Sequence, residues 1–248
     1  PGHNAVLMAL GALILWFGFF AFNGGSSYSI TGPDMYEAVG RAVINTTLAG
    51  ASGSMTLLVW GYLVEGHWNM GWIVNGLLAG MVSTCSGVDS YESWVALICG
   101  VGGAITCQLQ IELFEKFLFI DDPLNASAVH LGAGGFGMLF VAFCSNPSYG
   151  GEDFAGIFYG GSGSFLGNQI YAMVVYSAWT AVTSGILFFG LKQAGWLRIS
   201  EDEERLGADA THHGGKAYIM DDEHTVDAND TKHQAGSDSD GVAATTDA

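Results

Sequence analysis

Six long stretches without Asp, Glu, Lys or Arg occupy most of the first 191 residues of this 248-residue chain. These charge-free runs are 1–33, 42–64, 66–88, 93–111, 123–151 and 154–191. A membrane-spanning helix needs roughly 20 predominantly apolar residues, and each run reaches about that length. Core helices of soluble proteins have apolar runs of only ~10–14 residues, and the strands of a membrane β-barrel alternate in polarity, which these runs do not. The runs therefore predict an all-α polytopic membrane protein with six transmembrane helices.

The charged residues are concentrated after residue 191. Residues 192–248 hold 13 of the 24 acidic and 5 of the 7 basic side chains, and the only basic residues before them are Arg41 and Lys116. A nucleic-acid partner is excluded because no basic patch can meet a phosphate backbone. No nucleophile–base constellation indicates an enzyme, no CxxC pair indicates zinc, and no cofactor is predicted. The four cysteines are interpreted as small packing residues; they are Cys85, Cys99, Cys107 and Cys144.

The helical spans divide the chain into three predicted regions. Residues 1–198 form the transmembrane domain, 199–218 a cytoplasmic regulatory segment and 219–248 a disordered acidic tail poor in large apolar residues. Pro123 is predicted in the first turn of the fifth span, a position that suits proline. The chain opens without Met and without a signal peptide, so a fragment or a processed chain is expected. The spans are predicted at about 5–23, 39–64, 70–87, 94–111, 124–144 and 168–191.

Lysine and arginine predict the orientation in the bilayer. Lys116 lies between the fourth and fifth spans, and Lys192 and Arg198 follow the sixth. With six spans these positions lie on one side, which the positive-inside rule assigns to the cytoplasm. Arg41 lies on the opposite side and is the one exception. The C-terminus is therefore predicted to be cytoplasmic.

His130 is the one histidine well inside a predicted span. An ionisable side chain within a membrane is costly and usually faces the bundle interior or a water-filled path. A neutral imidazole offers one donor and one acceptor, and its pKa near neutrality suits passage of a proton or a small polar solute. A histidine bonded only for packing is the alternative. The glycines at 132, 134, 135 and 137 predict close helix packing that places the imidazole near the bundle centre.

An aromatic run closes the first span, from Trp16 to Phe22. Such a run near a membrane face usually forms an interfacial belt. Alternatively, its rings gate a pore mouth and attract a cation through cation–π contacts worth roughly 0.5–2 kcal/mol. The composition alone favours the belt, and the gate remains the alternative interpretation.

Four ordered motifs between residues 22 and 218 resemble the ammonium transporter family (Amt/Mep/Rh), most closely its plant-type members. The first is Phe-Asn-Gly-Gly-Ser at 22–26, which is similar to the end of the family's sixth helix. The second is Asn-Gly-Leu-Leu-Ala-Gly at 75–80, which resembles the eighth helix. The third is Asp-Asp-Pro-Leu-Asn-Ala-Ser-Ala-Val-His at 121–130, which resembles the opening of the tenth. The fourth, Gly207 to Tyr218, resembles the cytoplasmic G-x-D-x-x-x-H-G-x-x-A-Y segment.

This resemblance implies a fold, a substrate and partners. A complete member has eleven helices, of which this chain would supply helices six to eleven, and assembles as a trimer, here a homotrimer or a heterotrimer with paralogues. The implied substrate is ammonium or ammonia, and the implied location is the lipid bilayer of the plasma membrane, where the family serves nitrogen uptake. Repeats with the solute path at their interface are a recurrent transporter design.

The resemblance also assigns residues. His130 corresponds to the second of two pore histidines, Phe22 to one ring of the phenylalanine gate and Ser26 to the hydroxyl of the outer cation site. Phe19 stands where many members have Trp, and Asn23 belongs to the same motif. Two departures are Asn125, where many bacterial members have Asp, and Ser83–Ser86, where no site is assigned.

The cytoplasmic segment carries a predicted regulatory group. Plant members have a threonine at the place of Thr211, and its phosphorylation closes the pore. The neighbouring motif residues are Asp209, His213 and Tyr218. The alternatives to a transporter are an ammonium sensor or transceptor that signals through the tail, and a nonconducting fragment with only a structural role.

Overall fold

Helices form all the regular structure in the part of the chain that the computed structural model describes, residues 4–215. Within those residues the structure contains no strand, which confirms the predicted all-α class. The longer helices are α1 (Ala5–Gly25), α2 (Met35–Glu65), α3 (Met70–Thr84), α4 (Ser93–Leu113) and α5 (Gly134–Cys144). After them come α6 (Pro147–Gly150), α7 (Ser164–Gln193), α8 (Glu201–Leu206) and α9 (Ala208–Thr211).

Apolar helices coincide with all six predicted spans. Four are long and apolar enough to cross a membrane: α1, α2, α4 with its π-helical extension Phe114–Leu118, and α7. The other two, α3 and the segment Ala128–Cys144, are apolar but shorter. Some predicted boundaries were wrong, since α2 begins at Met35 rather than near residue 39 and α3 ends at Thr84 rather than near residue 87.

The start of the fifth span differs from the prediction. Pro123 and Leu124 form a turn instead of the first helical turn, and Asn125 follows with a positive φ of 54°. Asp122 explains the later start, because its carboxylate accepts hydrogen bonds from the backbone N–H of Ala126 at 3.0 Å and of Ser127 at 2.9 Å. Such bonds satisfy the free N–H groups at a helix N-terminus. Partial burial alone would raise the pKa of Asp122, but the hydrogen bonds outweigh it and hold the pKa below its ordinary value.

Small residues allow α2, α3, α4 and α5 to pack backbone against backbone. A Cβ on Gly76 would clash with the Gly53 carbonyl group, and one on Gly137 would clash with the backbone of Ser83. Helices in a bilayer associate through such close contacts, because lipid supplies no hydrophobic force between them. The core is accordingly built from buried alanine, glycine and cysteine rather than from large side chains alone.

Polar side chains inside the bundle bond to the backbone of neighbouring segments. Asn45 on α2 is fully buried, and its Nδ2 donates to the carbonyl oxygens of Val88 at 2.7 Å and Tyr91 at 3.0 Å. The Tyr91 hydroxyl in turn bonds Thr84 at the end of α3. Backbone groups within a bilayer must find partners in the protein, so Asn45 fixes the loop between α3 and α4 onto α2.

One end of the bundle carries residues 85–92 and 145–163, and polar bonds hold these two loops together. We call it the outer end, after the orientation that the lysine and arginine positions predict. Arg41 Nε donates to the Asp89 carbonyl oxygen at 2.7 Å, and its guanidinium lies 3.9 Å from the centre of the Tyr149 ring. Glu92 accepts from Asn146 Nδ2 at 2.7 Å and from the Tyr159 hydroxyl at 2.5 Å. Arg41, the exception to the positive-inside pattern, therefore has a structural partner on its own side.

The Glu92–Tyr159 bond changes the titration of both groups. Partial burial alone would raise the pKa of Glu92, but the bonds from Tyr159, the backbone and Asn146 outweigh it and lower the pKa. The Glu92 carboxylate in turn raises the pKa of Tyr159 to about 12. The folded pKa of Glu92 lies below its value in an unfolded chain, about 4.3. The ionised carboxylate therefore stabilises the fold fully above pH ~4.3, and this stabilisation is lost as the pH falls through the folded pKa.

We expect Glu92→Gln and Tyr159→Phe each to lower the stability of the chain. Hydrogen bonds to charged groups contribute ~1.5–3 kcal/mol, and the partial exposure of this pair places the coupling near the lower value. A double-mutant cycle of thermal unfolding in detergent measures that coupling. The difference between wild type and Glu92→Gln should shrink as the pH falls through the lowered folded pKa of Glu92, where the carboxylate becomes protonated. A pH-independent difference would mean that packing, not the carboxylate, matters.

The described chain divides into two compact units, with the boundary between Val182 and Thr183 inside α7. In the second unit α8 begins with a capping box, in which the side chain of Ser200 and the side chain of Glu203 each bond the other's backbone N–H. Arg198 Nη2 donates to both carboxylate oxygens of Glu204, at 2.9 and 2.8 Å. The predicted tail 219–248 and Tyr218 lie outside the described residues.

Candidate functional site

A cavity of about 650 Å³ lies among α3, α5 with the π-helical turn before it, and the first part of α7. Its wall is mostly apolar, with the imidazole of His130, the thiol of Cys85 and a few hydroxyl groups as the polar exceptions. Ligand sites commonly combine an apolar wall with a small number of placed polar groups. This cavity is therefore the candidate site for a small, weakly polar solute.

His130 lies in the π-helical turn Ala128–Ala133 and its side chain is exposed to the cavity. The prediction that the imidazole lies near the packed centre of the bundle was wrong for this structure. The reason is the direction of the glycines: a Cβ on Gly132 would lie 2.7 Å from Gln110 Oε1, and Gly137 contacts the backbone of Ser83. Gly132 and Gly137 thus face α4 and α3, whereas Gly134 and Gly135 line the cavity with His130. Single π-helical turns occur frequently at functional sites.

The other predicted site residues lie together at the outer end of α1. The rings of Phe19 and Phe22 meet edge to face, with centroids 5.9 Å apart. Phe19 also packs on the cluster of Ala12, Leu77 and Met81, whereas Phe22 is exposed. The Ser26 hydroxyl is exposed and donates to the Phe22 carbonyl oxygen at 2.7 Å. The exposed Phe22 ring and Ser26 hydroxyl therefore lie beside the partly buried Phe19 ring, an arrangement compatible with either a belt or a gate.

Asn23 connects this group to the bundle. Its side chain is 3% exposed, and Nδ2 donates to Thr46 Oγ1 on α2 at 2.8 Å. Its Oδ1 has no hydrogen-bond partner among the described residues. The Asn23 amide also contacts the thiol of Cys85, which follows α3 and lines the cavity with His130. Asn23 and Cys85 therefore link the outer end of α1 to the His130 cavity.

Cys85 is the site residue that sequence reasoning missed. Cys99, Cys107 and Cys144 are buried, as expected of packing residues, but Cys85 is only half-buried and faces the cavity. The one signal in the sequence is its position in Ser83–Ser86, a string that departs from the family pattern and to which no site was assigned.

The predicted regulatory residues lie in the second unit. Thr211 ends α9, is half-buried, and donates from Oγ1 to the Gly207 carbonyl oxygen at 3.1 Å. Asp209 and His213 are exposed. The neighbouring His212 lies 3.6 Å from Glu203 of α8. Thr211, Asp209 and His213 therefore share one compact turn.

Apolar helices of spanning length and a cavity that opens among them define an integral membrane protein. Residues 1–218 match the Ammonium Transporter Family, and the chain belongs to that family. It is 39% identical over 248 residues to ammonium transporter 1 member 2 of Arabidopsis thaliana, covering 95% of this chain and 48% of that protein. It is 38% identical over 225 residues to ammonium transporter 3 of Dictyostelium discoideum, covering 89% and 52%.

A solved structure described as a sensor Amt protein superposes with a TM-score of 0.74 at 29% identity, covering 85% of this chain and 49% of that one. The fold of the chain is therefore that of the Amt structures. The chain spans about half the length of the curated relatives that it matches.

Proposed function

We propose that this chain takes part in transmembrane transport of ammonium or ammonia, with His130 on the permeation path. The observation that carries the proposal is the placement of His130 in the wall of a mostly apolar cavity, in a chain that belongs to a family of ammonium transporters. A single imidazole supplies one donor and one acceptor, which matches a solute that both donates and accepts hydrogen bonds.

The proposed path begins at the outer end of α1. Ammonium meets the Ser26 hydroxyl and the faces of Phe19 and Phe22, where cation–π attraction favours a cation. It loses water as it passes the rings and then Asn23. Beyond them it enters the His130 cavity. An unpaired charge beside an apolar wall is very costly. Ammonium therefore either gives up a proton, which crosses separately from ammonia, or its passage moves net charge across the membrane.

The test is methylammonium uptake by cells that lack their own ammonium transporters. Because the chain spans half of its relatives' length, the assay uses a chimaera in which it replaces the matching part of Arabidopsis ammonium transporter 1 member 2. We expect His130→Ala to reduce uptake at least tenfold or to change the selectivity among cations. His67→Ala, which removes an exposed loop histidine, is the matched control and should leave uptake unchanged. Normal uptake and selectivity in His130→Ala would remove His130 from the path.

A sensor of ammonium is the second candidate function. The observation that favours it is the similarity to a structure described as a sensor Amt protein. If the chain is a sensor, the purified chain should bind ammonium. The chimaera should then show no uptake when its surface abundance equals that of the intact Arabidopsis transporter. Uptake that depends on His130 would contradict a purely sensory role.

Assembly and location follow from the same proposal. We propose a homotrimer, or a heterotrimer with paralogues, in the plasma membrane, with the C-terminus in the cytoplasm. The large exposed apolar side chains of α1 and α7 support burial in lipid or against neighbouring subunits. Native mass spectrometry of the chimaera and protease accessibility of a C-terminal tag in intact cells test these points.

A further inference from the structure

A polar cavity of about 250 Å³ lies at the end of the bundle opposite the outer end, which we call the inner end. The end of α2, the first turns of α3, the end of α4 with its π-helical extension, and the loop before the fifth span form its wall. This inner cavity shares no lining residue with the His130 cavity. Its polar lining consists of two carboxylates and four carboxamides: Glu65, Glu115, Asn69, Asn75, Gln108 and Asn125.

Gln108 indicates a ligand in the inner cavity. The residue is only 6% exposed, so the little surface that it keeps lies in the cavity wall. Its Nε2 donates to Glu112 Oε1 at 3.3 Å, and Lys116 donates to the other Glu112 oxygen at 3.1 Å. Since a carboxylate only accepts hydrogen bonds, this contact fixes the orientation of the amide. The Gln108 Oε1 accepts no hydrogen bond from residues 4–215, and a water or an ion is the usual explanation for such an oxygen.

Two further carboxamides in the wall have free hydrogen-bonding groups. The side chains of Asn75 and Asn125 are half-buried and make no hydrogen bond with the residues that the structure describes. Asn75 opens the motif at 75–80 and Asn125 lies in the motif at 121–130, so two of the four sequence motifs meet at this cavity. The proposed permeation path uses neither residue. Together with Gln108 they offer three carbonyl oxygens to one space.

The charge of the wall selects the sign of the ligand. Glu65 accepts from Trp72 Nε1 at 2.8 Å and from Asn69 Nδ2 at 3.2 Å, and His67 Nε2 lies 3.4 Å from the same carboxylate. An ionised carboxylate has about four lone-pair sites, so Glu65 can still accept. Glu115 is exposed on the solvent side of the cavity, and no described lining residue is a lysine or an arginine. Two negative charges with oxygen donors alone favour a hard cation.

We propose that the inner cavity binds a hydrated divalent cation of the Mg²⁺ class. Mg²⁺ gives up water reluctantly and is usually held by one or two carboxylates while it keeps several waters. The 250 Å³ of the cavity is far more than a bare ion fills. At ~30 Å³ for each water it holds roughly eight, enough for an ion with its first shell. The carboxamide oxygens then accept hydrogen bonds from the bound waters, and the two carboxylates balance the charge.

Occupancy of the cavity would hold a loop in place. Glu115 and Asn125 lie on either side of residues 119–124, and the other ligands belong to α2, α3 and α4. An ion that contacts both sides through its waters therefore joins this loop to the ends of three helices. The binding itself does not depend on the proposed transport function.

The test uses the purified chain in detergent, freed of metal with EDTA and titrated by calorimetry with MgCl₂, CaCl₂, KCl or NH₄Cl. We expect one saturable Mg²⁺ site, with weaker binding of K⁺ and NH₄⁺, and slower hydrogen exchange in residues 119–124 when Mg²⁺ is bound. Absence of saturable binding at millimolar Mg²⁺ would overturn the proposal. Equal affinity for K⁺ or NH₄⁺ would overturn the divalent assignment, and tighter binding of Ca²⁺ would overturn the hydrated ion, since Ca²⁺ takes protein oxygens directly.

Variants connect the binding to the cavity. Because ligand charge sets the affinity of such sites, we expect Glu115→Gln to weaken Mg²⁺ binding about tenfold and Asn125→Asp to tighten it about tenfold. Asn125 has a φ of 54°, which aspartate also tolerates, and a gain in affinity cannot result from misfolding. Unchanged affinity in both variants would refute the site.

Asp153→Asn is the matched control for charge. Asp153 is exposed at the outer end, so the variant removes the same charge as Glu115→Gln far from the inner cavity, and we expect unchanged Mg²⁺ affinity. An equal loss in Asp153→Asn would overturn the proposal, because the net charge of the chain rather than the cavity would then attract the ion.

Discussion

Gly80→Leu is expected to abolish the native packing of the helical bundle. Gly80 lies on α3 where it crosses α2, and a Cβ there would clash with the Ala49 carbonyl oxygen, lie 2.9 Å from the Ala49 carbonyl carbon and 3.3 Å from Gly50 Cα. All three contacts are backbone atoms, which cannot rotate away as a side chain can. Overpacking a core typically costs ~1–3 kcal/mol, and a leucine that separates two helices should exceed the upper value.

The matched control is Gly18→Leu. Gly18 is exposed on α1, and a Cβ there meets no atom within 4 Å. Both variants replace a glycine inside a helix by leucine, so intrinsic helix propensity changes equally in the two. Thermal unfolding and size-exclusion profiles in detergent should show an aggregated Gly80→Leu chain and a Gly18→Leu chain with the wild-type profile. A Gly80→Leu chain that elutes and melts as wild type would show that α2 and α3 are not held at backbone contact.

The spans were predictable because length and charge decide them. A run of about 20 residues without charge has few structures open to it beyond a helix in a bilayer, and all six runs gave apolar helices. His130 was singled out for a related reason, since a lone ionisable group within such a run is conspicuous, but its exposure in the cavity wall was not predicted and its role stays a prediction. The end of α1 was recognised from a short motif, and its residues do lie together.

Tertiary contacts decided what the sequence did not predict. The fifth span starts late because the Asp122 carboxylate accepts hydrogen bonds from backbone N–H groups beyond Pro123. The preference of proline for the first turn of a helix does not predict this later start. Cys85 faces the cavity only because α3 and α5 run alongside each other in one particular register. The outer loops are joined by Glu92 and Tyr159, which are 67 residues apart. Periodicity and composition carry no information about such distant pairs.

Thr211→Asp is expected to abolish most transport while leaving the protein in the membrane. The Thr211 hydroxyl donates to the Gly207 carbonyl oxygen and closes the short helix α9. Aspartate cannot donate that bond and adds negative charge close to α8, where Ser200 lowers the pKa of Glu203 and keeps it ionised. A phosphate would act more strongly, since it carries about −1.5 to −2 charges at pH 7. Repulsion between these groups should open the turn that α8 and α9 form.

Uptake of methylammonium by the chimaera, normalised to surface abundance, measures this prediction. We expect Thr211→Asp to retain less than a tenth of wild-type uptake and Thr211→Ser to retain all of it. Thr211→Ala should retain most, because it loses one hydrogen bond of ~1 kcal/mol without adding charge. Thr225→Asp places the same charge farther along the chain, outside the described residues, and separates an effect of position from one of net charge. If Thr211→Asp transports at the wild-type rate, the turn is only structural. If Thr225→Asp fails equally, added charge anywhere in the acidic segment suffices and its position at residue 211 is not the switch.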